Sequence, residues 1–439
     1  MIKWVYTALS VCFCSQLTFS QSENYKQIDK YLDDLEKHNK FMGSVAVAKN
    51  GEIVYSKAVG YSDVEKGIRA NEDSKYRIGS ISKTFTAVLV MQAVEQGKLK
   101  LDTRLNTFFP TIKNADKITI SHLLNHRSGI HSFTDDDSYL EWNTQANTEK
   151  EMLAIIEKGN SLFAPDSKAQ YSNSNYVLLS YILEKVYKES FGSILQKNIA
   201  KPIGLKNTYL AKTIDVYDNE VKSYTYTGNW KLESETDPSI PLGAGAIVSN
   251  PQDIILFSNA LFEGKLLLPS SLEYMKTLKD NYGSGLFKYP FNGKFGYGHT
   301  GGIDGFSSIF TYFENDKITY VMTSNGANTN TNTISLVVLS EAFGVPYQLP
   351  EITTYKVEPK DLDAYLGVYS STQLPIKITI TRVGETLMAQ ATGQSSFPLE
   401  AVKKDVFQFE VAGIVIEFNS KENNLILIQG GGNFTFSKE

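Results

Sequence analysis

Apolar residues between positions 21 and 40 recur with the 3.6-residue period of an amphipathic helix. These residues are Ile28, Tyr31, Leu32 and Leu35. The helix predicted after Ser80 is different, because residues 87–91 are apolar without a break. A helix without a polar face belongs in the centre of a domain, so this second helix is predicted to be buried.

Two apolar runs, 43–48 and 53–55, are separated by a short polar segment that contains Asn50-Gly51. Asn-Gly between two such runs is a strong signal for a tight β-hairpin. Further apolar runs at 307–313 and 318–324 predict paired strands of one sheet. The pattern indicates an α/β (α+β) domain in which an antiparallel sheet is flanked by helices.

The stretch between roughly 100 and 240 predicts an all-helical subdomain inserted into this domain. Ser121 precedes one of its apolar segments and is predicted to cap a helix. Residues 131–150 are polar and acidic, which is typical of a loop or lid-like excursion.

The period of the apolar pattern changes after about residue 350. Short strand-like segments, some with alternating apolar and polar residues, follow one another there at near-regular spacing. The segments are 376–381, 407–409, 414–418, 425–428 and 434–436. Such a series of short strands predicts a small C-terminal antiparallel β-barrel. The expected division is a main domain over 21–350 and a β-barrel domain over 351–439.

The first twenty residues have the pattern of a signal peptide. Lys3 supplies a positive charge, residues 4–13 are mostly apolar, and the small Ser20 precedes Gln21. We therefore expect export to the periplasm or secretion. The apolar run is short of the roughly 20 residues of a membrane span. A lipoprotein anchor at Cys12 stays open, although the preceding valine fits that motif poorly.

Composition excludes several classes of function. Both cysteines, Cys12 and Cys14, lie in the predicted signal peptide, so its removal leaves no disulfide, cysteine-ligated zinc or cysteine nucleophile. The net charge of −5 is spread without long runs of one sign, which argues against a nucleic-acid partner. No later stretch reaches the length of a membrane span.

The strongest chemical signal is Ser80-x-x-Lys83 at the start of the apolar helix. Residues three apart share a helix face, so the hydroxyl and the amine can meet. A helix N-terminus favours a developing alkoxide, and a buried lysine of lowered pKa can accept the serine proton. Taken alone, the motif is equally compatible with a capping serine and a solvated lysine.

Two further motifs follow in order, Tyr171-x-Asn173 and His299-Thr300-Gly301. With Ser80-x-x-Lys83 they resemble the penicillin-recognising serine hydrolases, in the subgroup of class C β-lactamases, DD-peptidases and related esterases. The likeness implies a β-lactamase/transpeptidase-like serine hydrolase domain. In the C-terminal domain, Leu366-Gly367-Val368-Tyr369 resembles the small lipocalin-like barrels appended to some members.

The resemblance implies a role for each motif residue. Ser80 would be the acylated nucleophile and Lys83 its proton partner. Tyr171 would act as general base and later as acid, which requires that Lys83 lower its pKa. Asn173 would bind the substrate amide. The oxyanion hole would be formed by the backbone N–H groups of Ser80 and Gly302.

His299, Thr300 and Gly301 would bind substrate along their strand. β-Lactamases commonly have lysine in place of His299, and a histidine is mostly neutral at pH 7. The histidine resembles the motif of DD-peptidases and D-aminopeptidases. It favours a peptidase or amidase acting on small-molecule or peptide substrates that contain D-amino acids.

Two alternatives remain open: a β-lactamase or carboxylesterase of the same fold, and a catalytically silent binding or sensor protein. The three intact motifs weigh against the silent protein. No cofactor is expected. His122 and His126 are spaced as metal ligands could be, but no carboxylate signature accompanies them, so no metal is expected either. The sequence leaves the oligomeric state open.

Overall fold

The computed structural model describes residues 25–352 and 355–439. The predicted signal peptide and the candidate lipobox lie outside these residues, so export stays a prediction. The helices are α1 (Lys26–Lys37), α2 (Ser82–Glu95), α3 (Ile120–Leu124), α4 (Tyr139–Trp142), α5 (Glu149–Lys158), α6 (Asn173–Tyr187), α7 (Phe191–Leu195), α8 (Lys201–Ile203), α9 (Pro251–Phe262), α10 (Pro269–Lys276), α11 (Thr331–Phe343) and α12 (Pro359–Leu362).

The strands alternate with these helices in the first part of the chain and follow one another in the last part. They are β1 (Phe41–Lys49), β2 (Glu52–Val59), β3 (Tyr61–Asp63), β4 (Ile68–Arg69), β5 (Tyr76–Arg77), β6 (Tyr209–Leu210), β7 (Tyr224–Tyr226), β8 (Trp230–Leu232), β9 (Ile247–Ser249), β10 (Phe287–Phe291), β11 (Lys294–Ile303), β12 (Phe306–Phe313), β13 (Ile318–Ala327), β14 (Gly367–Ser370), β15 (Lys377–Val383), β16 (Thr386–Ala391), β17 (Phe397–Lys403), β18 (Val406–Phe409), β19 (Ile414–Asn419), β20 (Asn424–Gln429) and β21 (Gly432–Lys438).

The main sheet has the strand order β10-β11-β12-β13-β1-β2, and all neighbours are antiparallel. Its N-terminal hairpin joins Lys49 to Glu52 through Asn50 and Gly51, whose φ angles are 54° and 86°. A two-residue turn of this kind needs positive φ at both central positions, which Asn and Gly tolerate. The predicted hairpin is therefore confirmed.

Helices cover both faces of the main sheet, as strand β1 illustrates. Val45 and Val47 belong to the apolar cluster that includes residues of α1 and α11. The smaller Ala46 and Ala48 belong to the opposite cluster, with α2 and α9. Helices α1 and α2 agree with their predicted patterns. Helix α1 buries one apolar stripe, and α2 is buried nearly all round.

We expected the region between 100 and 240 to be all-helical, but it also contains three short strands. Strand β6 joins a small sheet with β5 and β9, which lie outside this region, and β7 and β8 form a separate hairpin. The expectation for Ser121 is also wrong, because Thr119 caps α3 through a capping box with His122. Ser121 is the second residue of the helix, and its hydroxyl lies 2.7 Å from the Tyr274 hydroxyl.

The C-terminal strands β14 to β21 form a closed antiparallel barrel. Alternate residues point inward, so Ile378 and Ile380 of β15 pack with Leu387 and Ala389 of β16 in one apolar core. The predicted fold, an antiparallel sheet flanked by helices with a C-terminal β-barrel, is confirmed. No helix of residues 25–352 or 355–439 combines the length and apolar character that crossing a membrane requires.

The barrel rests against the main domain around a buried lysine. The Lys40 ammonium, with 3 % of its side chain exposed, pairs with the carboxylates of Glu400 and Glu410. Thr329 donates a hydrogen bond to Glu410 over 2.6 Å. On the hairpin between β7 and β8, a Cβ on Gly228 would lie 2.5 Å from the Thr386 hydroxyl, so the barrel closely approaches this hairpin.

Candidate active site

Strand β5 leads through a single tight turn, Gly79–Ile81, into helix α2. Ser80 lies in this turn, and Lys83 lies in the first turn of the helix. Gly79 has a φ of 50°, and a Cβ there would come 2.7 Å from the Gly302 nitrogen. Only glycine fits this conformation and this close approach, which brings the serine turn against strand β11.

The Lys83 amine meets three oxygen atoms. Its Nζ lies 2.9 Å from Ser80 Oγ, 2.7 Å from Asn173 Oδ1 and 2.7 Å from the carbonyl oxygen of Ala244. The side chain is completely buried, and no carboxylate of the described chain pairs with it. Burial therefore lowers the pKa of Lys83 well below its ordinary value, because the charged form lacks compensation.

A neutral Lys83 has two N–H donors and one lone pair. The Ala244 carbonyl and Asn173 Oδ1 are acceptors only, and the Asn173 amide is oriented by its donation to Thr134 Oγ1 over 2.8 Å. These two acceptors take both N–H groups. The remaining lone pair then faces the Ser80 hydroxyl, which is the arrangement of a general base and its nucleophile.

Tyr171 lies beside the same hydroxyl. A hydrogen bond with Ser80 favours its ionised form, but burial has the larger effect and raises the pKa of Tyr171. The general-base role implied for Tyr171 requires that Lys83 lower this pKa, and the condition is not met, since an amine that is itself neutral supplies no positive field. The phenol keeps its proton at neutral pH, which suits a proton donor.

His126 positions Tyr171, a role that the sequence did not reveal. Its ring stacks on the Tyr171 ring with centroids 4.5 Å apart, and its Nδ1 accepts a hydrogen bond from the Ser172 N–H over 3.1 Å. Burial keeps the pKa of His126 well below its usual value, so the ring is neutral. Among the residues that the structure covers, no group of three His, Cys, Asp or Glu side chains could hold a metal.

His299 and Thr300 point to opposite sides of strand β11. The His299 ring is buried, with its centroid 4.8 Å from that of Phe287 and 6.5 Å from that of Tyr171. Burial lowers the pKa of His299 to about 3, so it carries no charge at neutral pH. Thr300 is exposed.

Gly301 and Gly302 bring the backbone of β11 to the nucleophile. A Cβ on Gly301 would lie 2.9 Å from the Ser80 nitrogen. Strand β10 pairs with β11 only through residue 298, so within the sheet residues 299–303 pair with β12 alone. The N–H of Ser80, in the first turn of its helix, has no carbonyl partner within that helix. Both features leave backbone groups available to a substrate.

A cavity of about 460 Å³ opens beside Ser80. Of the predicted site residues, Ser80, Asn173 and Gly302 line it, whereas Lys83, Tyr171 and His299 do not. The other lining residues come from helix α4, the end of strand β11 and the segments between elements: Phe133, Thr134, Tyr139, Leu140, Asn143, Glu233, Ser234, Thr236, Pro241, Ala244, Gly245, Ile303 and Asp304. The acidic excursion over 131–150 was predicted, but its place at the cavity was not.

The sequence model of the beta-lactamase family matches residues 28–337, which is well over half of the chain. The chain belongs to the beta-lactamase family. It is thus a hydrolase of the beta-lactamase fold, and the resemblance found in its three motifs is confirmed.

Relatives within the beta-lactamase family include hydrolases of D-amino-acid derivatives. The teichoic acid D-alanine hydrolase of Staphylococcus aureus is 29 % identical over 321 residues, which are 71 % of this chain and 76 % of that protein. The crystal structure of a D-stereospecific amidohydrolase from Streptomyces is 28 % identical, with a TM-score of 0.63, over 72 % of this chain and 99 % of its own.

One solved structure extends the likeness to most of the chain. The octameric penicillin-binding protein homologue from Pyrococcus abyssi is 25 % identical, with a TM-score of 0.64, and covers 94 % of this chain and 99 % of its own. The likeness therefore extends beyond residues 28–337 into the C-terminal part of this chain.

Proposed function

We propose that the protein is a serine hydrolase that works through an acyl-enzyme on Ser80. Its substrates would be amides or peptides that contain D-amino acids. The observation that carries the proposal is the buried Lys83 amine, 2.9 Å from Ser80 Oγ and held otherwise by neutral acceptors. The similarity to a D-alanine hydrolase and a D-stereospecific amidohydrolase supports the substrate class.

In the first step Lys83 removes the hydroxyl proton as Ser80 Oγ attacks the substrate carbonyl carbon. The negative charge that develops on the carbonyl oxygen is received by the N–H groups of Ser80 and Gly302. Each preorganised donor of this kind lowers the activation barrier by about 3–4 kcal/mol. The Ser80 turn and strand β11 are rigid elements, so the donors need no rearrangement during the reaction.

The leaving group is then expelled with a proton from Tyr171, whose pKa is raised by burial and which is therefore protonated at neutral pH. Lys83 then passes the proton that it took from Ser80 to the Tyr171 phenolate, whose ring centroid lies 4.9 Å from Lys83 Nζ, and both groups regain their starting forms. In the second step the neutral Lys83 accepts a proton from the attacking water and returns it to Ser80 Oγ as the ester bond breaks, which releases the acyl group as a carboxylic acid. No step requires a metal or an organic cofactor.

The direct test is labelling of the purified protein with a fluorescent fluorophosphonate, which reacts with activated serines. The wild-type protein should be labelled and Ser80→Ala should not, because the variant lacks the oxygen that forms the covalent bond. Ser234→Ala is the matched control, since Ser234 lines the same cavity. Equal labelling of wild type and Ser80→Ala would overturn the nucleophile assignment.

The substrate class is tested with a D-amino-acid amide, a D-Ala-D-Ala peptide, a chromogenic cephalosporin and a p-nitrophenyl ester. Higher kcat/KM on either of the first two supports a D-peptidase or amidase. Higher kcat/KM on the cephalosporin or the ester identifies a β-lactamase or carboxylesterase instead. Absence of turnover on all four, together with absence of labelling, identifies a binding protein that keeps the fold.

A further inference from the structure

The cavity beside Ser80 lies on one side of the nucleophile. Tyr171, the proposed proton donor to the leaving group, is not part of its wall, and neither is His299. The wall is formed instead by Asn173, Gly302 and the loops beyond them. If the leaving group departs towards Tyr171, the cavity receives the acyl part of the substrate.

The charged groups in the cavity wall have one sign. Two lining residues are acidic, Glu233 and Asp304, and none of the lining residues is a lysine or arginine. The Asp304 carboxylate already has partners within the protein. It accepts hydrogen bonds from the Thr236 N–H and hydroxyl and lies 3.5 Å from the Arg77 guanidinium. Its charge is thus partly balanced within the protein.

Glu233 differs from Asp304 in having no cation. One of its carboxylate oxygens accepts a hydrogen bond from the Thr225 hydroxyl, which fixes the side chain. No lysine, arginine or histidine of the described chain forms an ion pair with it. The residue is half-buried at the end of strand β8, where its backbone N–H is held by the carbonyl oxygen of Ser223 over 2.9 Å.

A half-buried carboxylate without a cationic partner gains most from a cationic ligand, because a charge-assisted hydrogen bond is about twice as strong as a neutral one. The same carboxylate repels an anionic ligand, so it also selects against acyl groups that end in a carboxylate. The apolar Phe133, Tyr139 and Ile303 in the same wall offer contacts to a short side chain.

We propose that Glu233 binds the ammonium group of the substrate. The substrate class is then an aminoacyl amide or ester with a free amino group on its acyl part. This proposal rests on the acyl-enzyme function of Ser80, and it adds a specificity-determining residue to that site.

The first experiment uses wild-type protein and three acyl groups on one leaving group. The substrates are the p-nitroanilides of D-alanine, N-acetyl-D-alanine and N-succinyl-D-alanine, which carry positive, zero and negative charge. We expect kcat/KM to fall in that order, with about a 10-fold loss or more from the first to the second. A preference for the succinyl substrate, or no preference, would overturn the proposal.

The second experiment removes the charge at constant shape. Glu233→Gln should lower kcat/KM for D-alanine p-nitroanilide by about 10- to 100-fold, mainly through KM, and should affect the N-acetyl substrate far less. Glu233→Asp should retain part of the preference, and Glu233→Lys should shift it towards the succinyl substrate. Glu65→Gln is the matched control, because Glu65 contacts Tyr224 beside the same hairpin but does not line the cavity.

Fluorophosphonate labelling of each variant separates the two proposals. A variant that is labelled like wild type has an intact nucleophile, so unchanged substrate preference in a labelled Glu233→Gln would overturn the role of Glu233 alone. Absence of labelling in the wild-type protein would instead overturn the proposed function. A Glu233 variant that fails to label is misfolded, and the three-substrate series on the wild type then decides.

Discussion

The molecule contains two buried lysines with opposite surroundings, Lys83 at the nucleophile and Lys40 at the junction with the barrel. Lys40 meets the carboxylates of Glu400 and Glu410, which compensate its charge. Lys83 meets a hydroxyl, an amide oxygen and a peptide carbonyl. Burial is the same in both places, so the partners alone decide whether a lysine holds domains together or is left with a basic lone pair.

The largest effect is expected from removing the amine at the nucleophile. Lys83→Met should reduce the rate of acylation by about 10²–10⁴-fold, because a positioned general base contributes that much. Stopped-flow measurement of acylation by a chromogenic ester, or of fluorophosphonate labelling, would give the rate. Near-wild-type labelling of Lys83→Met would remove the lysine from the mechanism and leave Tyr171 as the remaining base.

A smaller effect is expected when the surroundings of Lys83 are made like those of Lys40. In the wild type, acylation should be lost as pH falls through the lowered pKa of Lys83, because protonation removes the lone pair. Asn173→Asp places a carboxylate at this amine and raises its pKa. The acidic limb of the kcat/KM profile should therefore move to higher pH, with about a 10-fold loss near neutrality that more alkaline buffer restores.

Asn173→Ala serves as the control for that change, because it removes the amide without adding charge. It should weaken substrate binding and leave the acidic limb where it is or move it by far less. An Asn173→Asp profile that coincides with that of the wild type would show that the charge state of Lys83 does not control acylation.

The smallest effect on activity is expected at the junction. Lys40→Met leaves two carboxylates without their cation, and since each is about one-third exposed, the free energy of unfolding should fall by only about 1–2 kcal/mol. Acylation of Ser80 should be unchanged. Chemical denaturation and limited proteolysis near residues 345–358 would measure the loss.

Lys185→Met provides the comparison for Lys40→Met. Lys185 pairs with Glu149 on the surface, where both side chains are more than one-third exposed. An exposed ion pair of this kind is worth about 0.2–1 kcal/mol. If the two variants lost the same stability, burial of Lys40 would have no consequence for the docking of the barrel.

Local signals in the sequence were sufficient for much of the fold. The spacing of Ser80 and Lys83 predicted that their side chains meet, since residues three apart share a helix face whatever the rest of the chain does. The alternation after residue 350 predicted the barrel strands for the same reason. Both patterns depend on geometry within a single element.

Features that depend on several elements were beyond the sequence. Glu233 is a polar residue after a short hairpin, and nothing in its neighbours indicates that the hairpin reaches the cavity of Ser80. The raised pKa of Tyr171 follows from burial and from a neutral Lys83, which only the packed site reveals. Thr119 caps α3 instead of Ser121 because the helix begins at Ile120, two residues earlier than a cap at Ser121 predicts.

The closure of the barrel has a consequence for self-association. Strand β14 meets the last strand through Tyr369 opposite Lys438 and Ser370 opposite Ser437, whereas the β20–β21 ladder runs the full length of β20. Separation of β14 from β21 would open the barrel into a curved sheet with two edge strands, whose backbone N–H and C=O groups are unpaired. Unpaired edge strands favour the exchange of a terminal strand between molecules. Mild heating should therefore produce interlocked dimers, visible by light scattering, before Ser80 loses its reactivity.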